Sequence, residues 1–234
     1  MQEEVTKHTK KIFKAAKSKH SLGEKIREIL LEIAIIVFAV TLSIWLHGWS
    51  EHRHEQKEAK AFLKGLKEDL SKDIQLMEAN RNVIVRLDSN FRFLQSIPES
   101  SSSSRTDPAK DKEIGEHLYF DLRVTQPNIG RYEGFKSSGK IETIENSVLK
   151  EKILIFYQQT LPNIAYGENY VNSIQQKMLD LLVEKDEKQP LVNFISSLKL
   201  KSLLNLGVHN FGVNLDSYDK AIAEARAIIE EIEK

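Results

Sequence analysis

The chain has 234 residues, with 34 Lys and Arg balanced by 34 Asp and Glu, and no cysteine. Zero net charge removes the electrostatic case for nucleic acid as a partner, and the lack of thiols excludes disulfide frameworks, thiolate metal sites and cysteine nucleophiles. Ten Gly and five Pro among abundant Leu, Ile, Glu and Lys point to an all-α protein.

Residues 1–28 read as a basic cytoplasmic tail, with eight Lys and Arg against four acidic residues. Lys7, Lys10, Lys11, Lys14, Lys17 and Lys19 would lie near anionic lipid. Residues 29–49, ILLEIAIIVFAVTLSIWLHGW, are about the length a helix needs to cross roughly 30 Å of hydrocarbon. From Ile33 to Leu46 there is no charge and no polar face, unlike a soluble core helix. No small-residue cleavage site follows, so the segment reads as a retained anchor rather than a signal peptide. Trp45 and Trp49 suit the exit interface. Glu32, about one turn into the span, would reach headgroups or pair with Lys25 or Arg27, the alternatives being an intersubunit contact or a proton-linked role. Residues 50–70 hold five basic and five acidic residues, so the more basic N-terminal side is expected to be cytoplasmic. The expected location is a bacterial inner membrane, with the remainder of the chain in the periplasm.

Residues 50–97 read as a stalk and first bundle helix. Leu63, Leu66, Leu70, Met77, Ile84 and Leu87 follow alternating three-and-four spacing, with Asp73 and Asn80 at the same seam. That seam is the expected interaction surface, toward other helices or a second copy. Ile97-Pro98 ends the helix, and residues 98–108 form a Ser-rich loop. Residues 109–234 complete the helical domain. Asp107 caps a helix with Pro108 at its first position, expected to run to about Val124 with Ile114, Leu118 and Leu122 on one face. A short helix over residues 128–138 stops at Gly139, and Asn146 or Ser147 caps the next. That long helix carries a second seam from Ile153 to Leu181 and is expected to bend, not break, at Pro162. A helix over residues 191–206, a turn-rich link over 207–214 and a last helix follow. In the last, Tyr218, Ile222, Ala225, Ile229 and Ile232 are the buried stripe, and Glu224, Arg226, Glu230 and Glu231 face away. The expected whole is an antiparallel helical bundle.

Two stretches carry a resemblance: LLEIAIIVFAVTLSIWLHGWSEHRHE at 30–55 and YEGFKSSGKIETIENSVLKEKILIFY at 132–157. The chain resembles a family of uncharacterised single-pass membrane proteins common in Bacteroidetes. That family pairs an acidic residue at the start of the span with Trp and an acidic residue at its exit, then a Lys-Ser-Ser-Gly turn; Glu32, Trp49, Glu51 and Lys136-Ser137-Ser138-Gly139 match. The resemblance implies topology and carries no activity.

Metal-site spacing occurs at His47 with Glu51 and His54 with Glu58, the only zinc candidates; a solvated juxtamembrane helix is the simpler account. Ser137-Ser138-Gly139 lacks the strand-turn-helix context of a nucleophile elbow and reads as a helix cap. His117 and His209 are isolated, and no catalytic motif or cofactor site is present. The expected function is therefore a membrane-anchored interaction or scaffold protein. Its partners would be the bilayer and another membrane or periplasmic protein, or itself as a homo-oligomer. The alternative is a periplasmic ligand sensor acting through a separate membrane partner.

Overall fold

The computed structural model describes residues 22–98 and 107–234, with the side chains at 22–25, 28 and 29 outside that description. The expected basic tail up to residue 21, with its six lipid-facing lysines, and the serine run at 100–104 lie outside the described residues. The chain divides into two units, Met1–Glu55 and Gln56–Lys234.

In the first unit the described residues belong to helix α1 (Leu22–Ser96), which runs on into the second. Every residue from 30 to 50 is exposed, including Phe38 and Ile44 at 67% each. An all-round apolar helix without a covering partner is a candidate membrane span by length and composition. Its two hydroxyls are satisfied within the helix, Thr41 Oγ1 donating to the Val37 carbonyl (2.7 Å) and Ser43 Oγ to Ala39 (2.8 Å). Past it, the Arg53 guanidinium sits 4.8 Å from the Trp49 ring centre.

The second unit adds α2 (Pro108–His117), α3 (Gly130–Ser137), a 3-10 turn (Lys140–Thr143), α4 (Ser147–Ile155), a π turn (Phe156–Thr160), α5 (Leu161–Val183), α6 (Leu191–Ile195) and α7 (Leu198–Ile232). The described residues form no strand, so the all-α expectation holds. Lys67–Glu233, Arg226–Glu78 and Arg81–Asp219 pair in reverse order along α1 and α7, which are therefore antiparallel. Thr160–Glu224 and Glu168–Tyr218 set α5 antiparallel to α7 in the same way. The surface ion pairs fix register more than they stabilise. Stability comes from the seam between the helices, where Leu66, Leu70, Met77, Leu87 and Leu94 of α1 are fully buried with Ile153, Met178, Leu204 and Phe211. The α1 seam expected as an interaction surface thus forms the core of its own chain: Leu66, Leu70, Met77, Ile84 and Leu87 are buried and Leu63 packs against them.

Caps follow the sequence closely. Asp107 accepts from the amides of Ala109 and Lys110, Asn146 accepts from Leu149, and Gly139 takes φ 76° between α3 and the 3-10 turn. The π turn absorbs Pro162, so α4 and α5 form one helical path without a break. At the end of α1, the buried Lys201 ammonium of α7 donates to the carbonyls of Leu94 (3.1 Å), Gln95 (2.6 Å) and Ile97.

Four expectations require correction. The α2 helix stops at His117, not Val124. The expected link over 207–214 is helical, inside α7, and the helix expected over 191–206 is divided instead at Ser197, which caps α7 through the Leu200 amide. Gly207 serves close packing there: a Cβ would lie 2.6 Å from Phe91 Cδ1, beneath the ring that meets Phe211 edge-on at 4.8 Å. Gly207→Ala should therefore cost about 1–3 kcal/mol through overpacking, measured by chemical denaturation, despite alanine's better helix propensity. Lastly, Glu224 and Glu231 are half-buried rather than turned away; Glu224 accepts from Thr160 and Glu231 from Asn146 and Lys152.

Candidate functional site

Between α2 and α3, residues 118–129 contain no helix, turn or bend. Their backbone is satisfied by side chains from one face of α5. The Asp121 amide donates to Gln175 Oε1 (2.8 Å) and its carbonyl accepts from Gln175 Nε2 (3.2 Å). The Arg123 amide donates to Asn172 Oδ1 (3.2 Å), and its carbonyl accepts from Asn172 Nδ2 (2.7 Å). The Thr125 amide donates to Glu168 Oε2 (2.7 Å). Alternate residues of an extended strip face one edge about every 6.6–7 Å, close to the ~5.4 Å pitch of a helix. Positions 121, 123 and 125 can therefore meet 175, 172 and 168 one turn at a time, and α5 acts as a neighbouring strand whose bonds come from amide and carboxylate side chains.

Glu168 anchors the deepest rung. The residue is 2% exposed, and its carboxylate also accepts from the Thr125 and Tyr218 hydroxyls. Asn80 Nδ2 donates to Thr125 Oγ1 (2.8 Å), which lies 3.0 Å from Tyr218 Oη. Burial, reinforced by the bond to Glu168, pushes the Tyr218 hydroxyl well above the usual phenol range, so it stays a donor. At the strip's end Asp73 accepts from the Asn128 amide (3.0 Å) and Asn128 Nδ2 (2.7 Å). At its start the Arg86 guanidinium lies 3.9 Å from the Tyr119 ring centre. On the outer surface Arg123 binds Asp121 through Nε (2.8 Å) and Nη2 (2.9 Å), and this pairing holds the Asp121 carboxyl below its ordinary range.

Burial raises the Asp73 carboxyl above the ordinary value of 3.8, opposed by the Asn128 hydrogen bonds and assisted by nearby Asp69. A raised folded-state value makes the protonated form the stabilising one. That contribution is complete below 3.8 and is lost as pH rises through the folded value. Asp73→Asn retains an oxygen acceptor for Asn128 without the buried charge. The variant should gain on the wild type as pH rises from about 3 to 7, the comparison being made by urea denaturation at each pH.

Beyond Thr125 the strip and α5 enclose a cleft of about 200 Å³ lined by Pro127, Ile129, Tyr157, Leu161, Pro162 and Ala165. It is smaller than the roughly 300 Å³ at which small-molecule sites begin. The Tyr157 hydroxyl is buried without a hydrogen-bond partner among the described residues, as are both amide atoms of Asn214. With its carboxylate and hydroxyls buried and mutually bonded, the Glu168 cluster is built to hold backbone in place.

The residues singled out by sequence fall elsewhere. Glu32, Trp45 and Trp49 are exposed on α1; the Lys25 side chain suggested as a partner for Glu32 is not among those described. His47, Glu51 and His54 belong to the first unit, while Glu58, in the second, pairs with Lys140 Nζ at 2.8 Å. No group of three metal-ligating side chains converges among the described residues. Ser137 and Ser138 donate to the carbonyls of Gly134 (3.3 Å) and Phe135 (2.8 Å), closing α3. His117 stacks on Phe93 at 3.8 Å and bonds Asn90 (3.0 Å), whereas His209 is exposed. The strip is hidden in the sequence because Leu118 and Leu122 continue a helical spacing. The available signals were the Val124-Thr125-Gln126-Pro127 run and the polar Glu168, Asn172 and Gln175 on one face of an otherwise apolar helix.

No curated protein and no solved structure matches the chain. A family match extends over residues 32–202, from the acidic residue of the apolar helix through the strip and its α5 ladder to the first turns of α7. The chain belongs to this family of unknown function, DUF6090.

Proposed function

We propose that this protein is a single-pass, membrane-anchored interaction protein, its helical domain held on the periplasmic side of a bacterial inner membrane. The observation that carries the reading is the helix surface from Leu30 to Trp49, unburied throughout and apolar all round from Ile33 to Leu46. Such a surface is far larger than a soluble monomer leaves in water and needs lipid or protein around it. The excess of Lys and Arg before the span supports the orientation. An interaction role is supported by the form of the second unit, whose buried Glu168 cluster positions a surface strip of backbone. The test is purification of the full chain from its native membranes in mild detergent, followed by native mass and identification of copurifying proteins. A stoichiometric assembly is expected; a monomer without company would defeat the interaction role.

A further inference from the structure

The ladder on α5 uses only half of the strip. In an extended segment, the N–H and C=O groups of successive residues point to opposite edges. The inner edge of 121, 123 and 125 is bound to Gln175, Asn172 and Glu168. The outer edge belongs to Phe120, Leu122 and Val124, whose backbone groups have no hydrogen-bond partner among the described residues. Leu122 and Val124 are 50% and 58% exposed. Helix α1 bonds the strip through Thr125 and Asn128 and stacks on Tyr119, leaving the middle free of such contacts. A row of donors and acceptors left unpaired among the described residues is a template for another strand.

The sequence of that edge identifies the occupant. Around Leu122 the strip reads Phe-Asp-Leu-Arg-Val, which is self-complementary when run antiparallel. Leu122 then faces Leu122 of a second copy, Asp121 faces Arg123, and Phe120 faces Val124. Both rows of cross-strand neighbours match: opposite charges on one face and apolar groups on the other. Shifting the pairing by two residues, to centre on Arg123, sets two guanidinium groups opposite each other. We propose that two copies pair through this edge, Leu122 lying on a twofold axis, in a short intermolecular β-ribbon. This rests on the interaction reading above and names its partner as a second copy of the chain.

The absence of native cysteine allows a direct test on the full chain in detergent. In the hydrogen-bonded pair at the centre, the two Cα atoms lie about 5.5 Å apart, within disulfide range. Leu122→Cys should therefore form a disulfide dimer under mild oxidation. Val124→Cys, whose symmetry mates are roughly 14 Å apart in this register, should not. Asp121→Cys mixed with Arg123→Cys should cross-link, and more readily than either alone. Leu122→Pro removes a donor unused within the chain and should lower dimer content about tenfold without loss of helical signal, because that bond occurs twice across the axis. Monomeric native mass, or equal cross-linking at 122 and 124, would overturn the proposal. Cross-linking of the Leu122→Cys variant to a different copurified protein would overturn the second-copy assignment. Carbonate extraction of the same samples separates the two claims, since a membrane-retained monomer defeats the pairing and leaves the anchor standing.

Discussion

Replacing Lys201 with Met is expected to destabilise the helical domain by about 3 kcal/mol, lowering its melting temperature by roughly 10 °C. The residue is only 6% exposed, and its ammonium donates to the Leu94, Gln95 and Ile97 carbonyls at the end of α1. These are among the carbonyls a helix end leaves without an intrahelical partner. Methionine fills the same volume but donates nothing, so the loss is electrostatic and is not repaired by packing. Lys201→Arg retains the charge but brings a planar fork to a site shaped for a compact ammonium, and should recover only part of the stability. Circular dichroism melts of the three proteins check the order wild type, Arg, Met. A Met variant within about 0.5 kcal/mol of wild type would mean that water satisfies those carbonyls.

Glu168→Ala is the second large effect, expected at about 3 kcal/mol and accompanied by release of the strip. Three donors converge on this carboxylate: the Thr125 amide, the Thr125 hydroxyl and the Tyr218 hydroxyl. Removing a buried charge relieves a desolvation cost, which works in the variant's favour. The donors left without that acceptor outweigh it, because both residues that carry them, Thr125 and Tyr218, are buried, although their hydroxyls, 3.0 Å apart, can still bond each other. Glu168→Gln should fall between, since its amide keeps one accepting oxygen and replaces the other with a donor that the neighbouring hydroxyls must turn to accept. Trypsin gives a local readout at Arg123, on the strip. Cleavage there should accelerate in Glu168→Ala at a temperature where the helices remain folded, and unchanged cleavage would show the strip held by other contacts.

Much of the fold was legible because it rests on periodicity and end signals. The α1 seam, the Asp107-Pro108 start, the Gly139 stop and the Asn146 cap each express a local rule, and each is found where expected. The failures came where a local signal was outweighed by a distant partner. Gly207, Asn210, Gly212 and Asn214 have turn composition, yet all four lie inside α7, and Gly207 is there for packing, since the Phe91 ring leaves no room for a Cβ. Leu118 and Leu122 keep helical spacing, yet the backbone there is drawn out straight by Gln175, Asn172 and Glu168, some 43 to 54 residues away. No local rule predicts hydrogen bonds from so far along the chain. The α1 seam, expected to meet other helices or a second copy, is filled by α5 and α7 of the same chain, a choice that apolar spacing alone does not make.

We propose that the apolar part of α1 crosses a membrane with the helical domain on its outer side. Single cysteines in this cysteine-free chain test it by labelling with a membrane-impermeant maleimide. The sites are Val183, 84% exposed in the helical domain, and Ile36, in the middle of the apolar helix. Cells with a permeabilised outer membrane should label Val183→Cys before lysis, while Ile36→Cys stays unlabelled until detergent is added. Labelling of Val183→Cys only after lysis would reverse the orientation, and labelling of Ile36→Cys in intact membranes would contradict the span itself.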